Sequence, residues 1–244
     1  MELRLRNMLL GTTGVALAMG LPSSAFAQDV LETVIVTAEK TATDIQKTSV
    51  SITAIQPDVA NAAGQPRLED VLANVPSVNV YRGAANNGAY FIRGIGTTLG
   101  TSSTLEMVDG VNVNPYVAEA MTSTDAARIE VLRGPQGTLY GRGAFGGLVN
   151  VITNDPSDKY EGKVFIEGGA YNEVKANAVV NIPLSDDFAM RVTAFSLQQT
   201  GYMHPDGRGN TDVQAIRGKL QYKPSEDFKL TLSGALLDNF QSGS

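Results

Sequence analysis

From about residue 160 to its end the chain alternates apolar and polar side chains with a period of two, and no other feature limits its folding choices as strongly. Glu173-Val174-Lys175-Ala176-Asn177-Ala178-Val179-Val180-Asn181-Ile182 puts Val174, Ala176, Ala178, Val180 and Ile182 on one face and mainly polar groups on the other. Similar stretches occupy about 161–170, 188–199, 212–222 and 228–238, separated by Tyr171-Asn172, Pro183 to Asp187, Thr200 to Thr211 and Lys223 to Asp227. The pattern predicts an up-and-down antiparallel meander of about five strands. From the second strand on, the connectors run short, long, short, and strands of about ten residues are what a tilted membrane-spanning β-strand needs. A soluble sheet produces the same alternation, so the period alone leaves both outcomes open.

Composition closes off several classes. The 244 residues are 43% hydrophobic with 25 Gly and 10 Pro, which suits a turn-rich β protein better than a helical bundle. A net charge of −6 without a Lys/Arg-rich run argues against a nucleic-acid surface. With no cysteine there is no disulfide framework, thiolate zinc site, iron–sulfur cluster or cysteine nucleophile. The single histidine, His204, lies in the loop-like run His204-Pro205-Asp206-Gly207, so neither a metal site nor a catalytic constellation is expected. The chain reads as a non-enzyme without a cofactor.

Residues 1–27 read as a secretory signal: Arg4 and Arg6 precede the mostly apolar stretch Met8 to Leu21, and Ala25-Phe26-Ala27 offers a cleavage pattern. An apolar run of about 14 residues is too short to span a bilayer as a helix. No later run approaches 18 apolar residues, so any insertion must be by strands. The segment Asp29 to Lys40 is β-branched through its middle and reads as an isolated strand. It is either an ordinary edge strand or a tether that adds to a partner's sheet.

Residues from about 41 to 157 mix short strands with short helices. Leu68, Val71, Leu72 and Val75 form an apolar stripe on a helix of about two turns that stops before Pro76, a core-packing face. Val78 to Tyr81, Ala89 to Arg93 and Leu105 to Val108 are expected to build a small mixed sheet, with a turn at Asp109-Gly110 leading to Val111-Asn112-Val113. Six of the 14 residues from 134 to 147 are Gly, a density that forbids a stable helix and requires tight turning or close backbone approach. Gly141-x-Gly143-x-x-Gly146 matches the dinucleotide fingerprint, but Leu148 to Ile152 continues as a strand where that site needs a helix. Nucleotide binding is therefore not expected.

Ile92-Arg93-Gly94, Val108-Asp109-Gly110-Val111, the run Glu130-Val131-Leu132-Arg133-Gly134-Pro135-Gln136-Gly137-Thr138-Leu139-Tyr140-Gly141 and the following Gly146-Gly147-Leu148-Val149-Asn150-Val151-Ile152 come in that order after the signal and the tether-like strand. Together they resemble a TonB-dependent outer-membrane receptor over essentially the whole chain, and the 130–153 stretch is specific to the plug of that family. The resemblance implies an α+β plug, a small mixed β-sheet with short helices, followed by an antiparallel β-meander that is an incomplete transmembrane β-barrel. In such receptors the plug fills a barrel of roughly 22 strands, and the inner-membrane TonB complex drives uptake of a scarce nutrient such as a ferric siderophore. The implied division is a signal at 1–27, a TonB-box segment at 28–40, a plug at 41–157 and barrel strands at 158–244.

By the same resemblance Glu32, Thr33, Val34, Ile35, Val36, Thr37 and Ala38 correspond to the TonB box, and Arg93 and Arg133 to plug arginines that pair with barrel carboxylates. Asn86, Asn87 and Tyr116 are candidate solute contacts because they are polar or aromatic groups in expected apical loops. The 84 residues after 160 suffice for about five strands, fewer than the 8 or more of closed bacterial barrels. The chain is accordingly expected to be the N-terminal part of a receptor, from a truncated gene or a partial reading frame. A stand-alone soluble periplasmic binding module and a non-functional fragment are the alternatives.

Overall fold

The computed structural model describes residues 35–37, 43–62, 67–82, 88–96, 103–141, 143–200 and 210–241. All lie within the unit Thr33–Ser244. The expected signal peptide and the His204 loop lie outside the described residues.

A five-stranded sheet organises the first half. Its order is β3 (Ile52–Ile55), β8 (Ala126–Arg133), β9 (Gly147–Thr153), β6 (Thr104–Val108), β7 (Val111–Asn112). Only β6 and β9 run parallel. The β6–β7 hairpin follows from its turn: Asp109 and Gly110 both take positive φ, 49° and 80°, which a two-residue turn matched to strand twist requires. The strands β4 (Val78–Arg82) and β5 (Gly88–Ile92) pair only with each other, so they do not join the mixed sheet as the sequence suggested. The chain leaves β5 through Arg93 and Gly94, both at positive φ, and turns away from the ladder.

Alternate residues of β8 and β9 feed two cores. Ile129, Val131, Val149 and Val151 pack with α2 (Leu68–Ala73) and α3 (Pro115–Asp125), whereas Leu132 and Leu148 pack with Leu105, Met107, Ala144 and Val36. The stripe on α2 is buried as expected, with Leu68 and Leu72 fully covered. The helix α3 was not anticipated, because its Thr-Ser-Thr end carries no clear apolar stripe. The Asn114-Pro115 pair was the available signal: the Asn114 side chain accepts the Val117 N–H at 3.0 Å, and Pro occupies the first turn. Tyr116 therefore belongs to the first turn of a helix and not to an apical loop. Of the remaining short elements, α1 is Pro57–Ala62 and α4 is the single turn Gly137–Tyr140.

In the second half β10 (Glu161–Gly169), β11 (Glu173–Pro183), β12 (Phe188–Gln199), β13 (Thr211–Ser225) and β14 (Phe228–Gln241) form a continuous antiparallel meander. These bounds fall within a few residues of the expected ones. One face carries Val164, Ile166, Leu230, Leu232 and Leu236, all exposed. The opposite face carries Phe195 and Ala215, buried in the same core as α2 and α3, with Leu197, Val213 and Leu237 packed against it. The sheet is thus a wall whose inner face is continuous with the core of the first half. It is open among the described residues.

Candidate functional site

The tether-like segment is stowed. Among the described residues its strand is only β1 (Ile35–Val36), paired antiparallel with β2 (Thr43–Asp44). It is therefore paired and not isolated, and the rest of the expected strand from Asp29 to Lys40 lies outside the described residues. Val36 is 1% exposed and sits in the core of Leu105, Met107, Leu132 and Leu148. Beyond it, Thr37 donates its N–H to Glu130 Oε1 at 2.9 Å, and its hydroxyl lies 3.2 and 3.1 Å from the two carboxylate oxygens. Glu130 is fully buried on β8 and is also held by Arg128 Nε at 2.7 Å. Burial, and then the Glu130 charge, push the nearby Tyr140 phenol above its ordinary pKa. Glu32, Thr33, Val34 and Ala38 lie outside the described residues, as do Asn86 and Asn87.

Arg93 and Arg133 are brought together, 40 residues apart in sequence, around the glycine loop. The Arg93 Nη1 atom lies 3.1 Å from where a Cβ on Gly134 would stand, and Gly134 itself has φ 118°. Arg133 donates from Nη1 to Pro76 O at 3.3 Å, while its buried Nε has no acceptor among the described residues. No carboxylate among the described residues pairs with either guanidinium. The loop that holds them closes through close backbone approach: a Cβ on Gly147 would stand 2.1 Å from Leu132 O, and one on Gly146 2.9 Å from Ile95 O. Only glycine fits there. As expected, Gly141-x-Gly143-x-x-Gly146 is followed by the strand β9, so that fingerprint opens no helix toward a phosphate, and the helical turn Gly137–Tyr140 precedes it.

The ionic seam between plug and wall escaped the sequence reading. Asp125, at the end of α3, receives Arg191 Nε at 2.6 Å and Nη2 at 2.8 Å, together with Arg217 Nη2 at 3.3 Å. Lys219 reaches Thr153 O at 3.2 Å, Asp155 Oδ1 at 3.0 Å and Asp109 Oδ2 at 3.1 Å, and Lys229 reaches Asp155 Oδ2 at 2.6 Å. Burial alone would raise the Asp155 carboxyl, but the bonds and charges of Lys229 and Lys219 outweigh it and hold it below the usual value. The Asn181 amide donates to Ser157 O and Lys159 O, while its oxygen accepts the Ser157 N–H. It clamps the linker into β10. Asn177 donates to the carbonyls of Ser123 and Thr124 at the end of α3, beside a cavity of about 530 Å³ that Asp125, Lys163, Glu167 and Arg191 help to line. The missed signal was a cation in mid-strand on the inward parity, such as Arg191 between Ala189 and Thr193.

Residues 44–148 match the TonB-dependent Receptor Plug Domain family. This chain belongs to the TonB-dependent receptors. The iron-regulated outer membrane virulence protein of Vibrio cholerae is 30% identical over 243 residues, covering 91% of this chain and 36% of that protein. The ferripyoverdine receptor of Pseudomonas aeruginosa is 24% identical over 213 residues, covering 86% of this chain and 26% of its own length. This receptor chain therefore spans between about a quarter and a third of these relatives. Among solved structures, the ferric yersiniabactin uptake receptor of Yersinia pestis superposes with a TM-score of 0.68 at 22% identity, over 78% of this chain and 32% of that one. The ferripyoverdine receptor of the Pseudomonas aeruginosa outer membrane, bound to ferripyoverdine, gives 0.69 at 20% identity over 84% and 27%. Both share the architecture of a plug packed on antiparallel strands.

Proposed function

We propose that this chain is the N-terminal part of an outer-membrane receptor that takes up a scarce nutrient of the ferric-siderophore class, energised by TonB. Its parts are a signal at 1–27, a TonB-box segment at 28–40, a plug at 41–157 and the first barrel strands at 158–244. One observation carries the reading: the plug's core runs into the inner face of a sheet whose outer face is a band of exposed Val, Ile and Leu. A soluble module would bury that band, whereas a bilayer accepts it, and β-strands can cross hydrocarbon only as part of a closed wall. The role is transport and not catalysis.

Under this reading Glu32 to Ala38 add as a strand to TonB's sheet, with main-chain hydrogen bonds supplying the affinity. Arg93 and Arg133 are offered to carboxylates from further wall strands, because the half-buried Arg133 guanidinium has an Nε with no acceptor among the described residues and the exposed Arg93 lies against the same glycine loop. Asn86, Asn87 and Tyr116 are offered as solute contacts. The iron-related names of the relatives support the solute class. The test places a cysteine at Val34 or Ile35 and a second in TonB. A disulfide cross-link in cells is expected, and its absence at both positions refutes the transducer role.

A further inference from the structure

The plug is tied at its two ends to different bodies. At the N-terminal end, among the described residues, Val36 and Thr37 hold to the plug itself, through Leu132, Leu148 and Glu130. At the other end α3, β9 and the linker hold to the wall. In the seam beside α3, β9 and the linker the carboxylates, Asp109, Asp125 and Asp155, come from the plug or its linker and the cations, Arg191, Arg217, Lys219 and Lys229, from β12 to β14, whereas the more exposed Arg67–Glu173 pair at 4.0 Å has the opposite sense. Asp125 is the most enclosed of these acids, its side chain 6% exposed against 5% for Arg217 and 11% for Arg191, so water competes little for the pairs. Its place at a helix C-terminus, with Asn177 donating to the last carbonyls, adds the attraction of cations for that end of the dipole.

We propose that Asp125, gripped by Arg191 and Arg217, is the retention point that keeps the plug seated on the wall when the N-terminal segment is drawn out. The proposal rests on the reading of residues 32–38 as a pulled tether. Drawing the segment out peels Val36 and then the Thr37–Glu130 contact singly, whereas the seam bonds along α3, β9 and the linker share the load. The segment leaves β8 before α3 leaves the wall. The plug rearranges within the barrel and is not expelled whole.

The experiment uses the full-length receptor in phospholipid vesicles, with any cysteine outside residues 1–244 replaced and one buried reporter thiol introduced: Val36→Cys on the segment, or Thr124→Cys beside the seam. Maleimide labelling is followed against urea. Val36→Cys is expected to react at lower urea than Thr124→Cys. Adding Asp125→Asn is expected to speed Thr124→Cys labelling at intermediate urea at least tenfold, to change Val36→Cys labelling less than twofold, and to be reversed by Asp125→Glu. Arg191→Gln gives a second, smaller shift in the same direction, should Asp125→Asn fail to fold. Simultaneous exposure of both thiols in the parent, or seam labelling indifferent to both Asp125→Asn and Arg191→Gln, overturns the proposal. The TonB cross-link is read separately, so loss of that link refutes the tether while this ordering tests the retention point.

Discussion

Replacing Glu130 by Gln keeps the shape of the side chain but removes the charge that holds the stowed segment. The carboxylate accepts the Thr37 N–H at 2.9 Å and the Thr37 hydroxyl at 3.1 Å. Hydrogen bonds to a charged group contribute roughly 1.5–3 kcal/mol and neutral ones about 0.5–1.5, so each loses about 1 kcal/mol and the pair about 2. Arg128, whose side chain is 22% exposed, regains water, so its lost pairing weakens the plug more than the segment. A loss of about 2 kcal/mol multiplies the ratio of released to stowed segment by roughly 30. A spin label on Ile35→Cys reads that ratio directly as mobile against immobile signal, since the chain has no other thiol. A change of less than twofold, in a variant whose plug remains folded, would refute the claim that this carboxylate stows the segment.

Gly147→Ala is expected to destabilise the plug by at least about 3 kcal/mol, since its Cβ would meet the Leu132 carbonyl at 2.1 Å and force β8 and β9 apart; the urea midpoint of plug proteolysis measures it. Asp155, held below its reference pKa of 3.8, contributes stability that is complete above that value and is lost as pH falls through the lower folded one. Asp155→Asn should therefore flatten the acid dependence of seam exposure below the reference value of 3.8, and a variant as acid-sensitive as the parent would contradict this. Leu236→Arg, on the outer face and 75% exposed, should cost roughly 2–4 kcal/mol in bilayer insertion if it lies near the midplane. Folding yields in vesicles that match those of the parent would place that face away from lipid.

The wall was legible because each of its strands repeats a two-residue code that depends only on which face meets the core, and Tyr171-Asn172 and Asp109-Gly110 announced their turns locally. The glycine loop was legible for a similar reason: close approach leaves glycine as the only choice at Gly146 and Gly147. What stayed hidden depended on distance along the chain. Nothing near Asp125 forecasts Arg191 or Arg217, 66 and 92 residues away, and nothing near Thr37 forecasts Glu130 at a separation of 93. The helix α3 was missed because its β-branched and hydroxyl residues are weak helix formers, and its stability comes from packing against the sheet. The expectation that 78–81 and 89–93 join the mixed sheet failed because the positive-φ turn at Arg93 and Gly94 redirects the chain.

The strands β12, β13 and β14 have 12, 15 and 14 residues, while about 9–11 suffice to cross a bilayer at a slant. Their register sets Gln199, Thr211 and Gln241 side by side at one rim, so β13 and β14 carry the residues they have beyond β12 at the other, past the level of Phe188. At the first rim the outward positions of β13 and β14 pass from Ile216 and Leu236 to Gln214, Asp212 and Asp238, with the exposed Phe240 ring beside them. The two ends of the sheet are therefore unequal, one level and the other stepped.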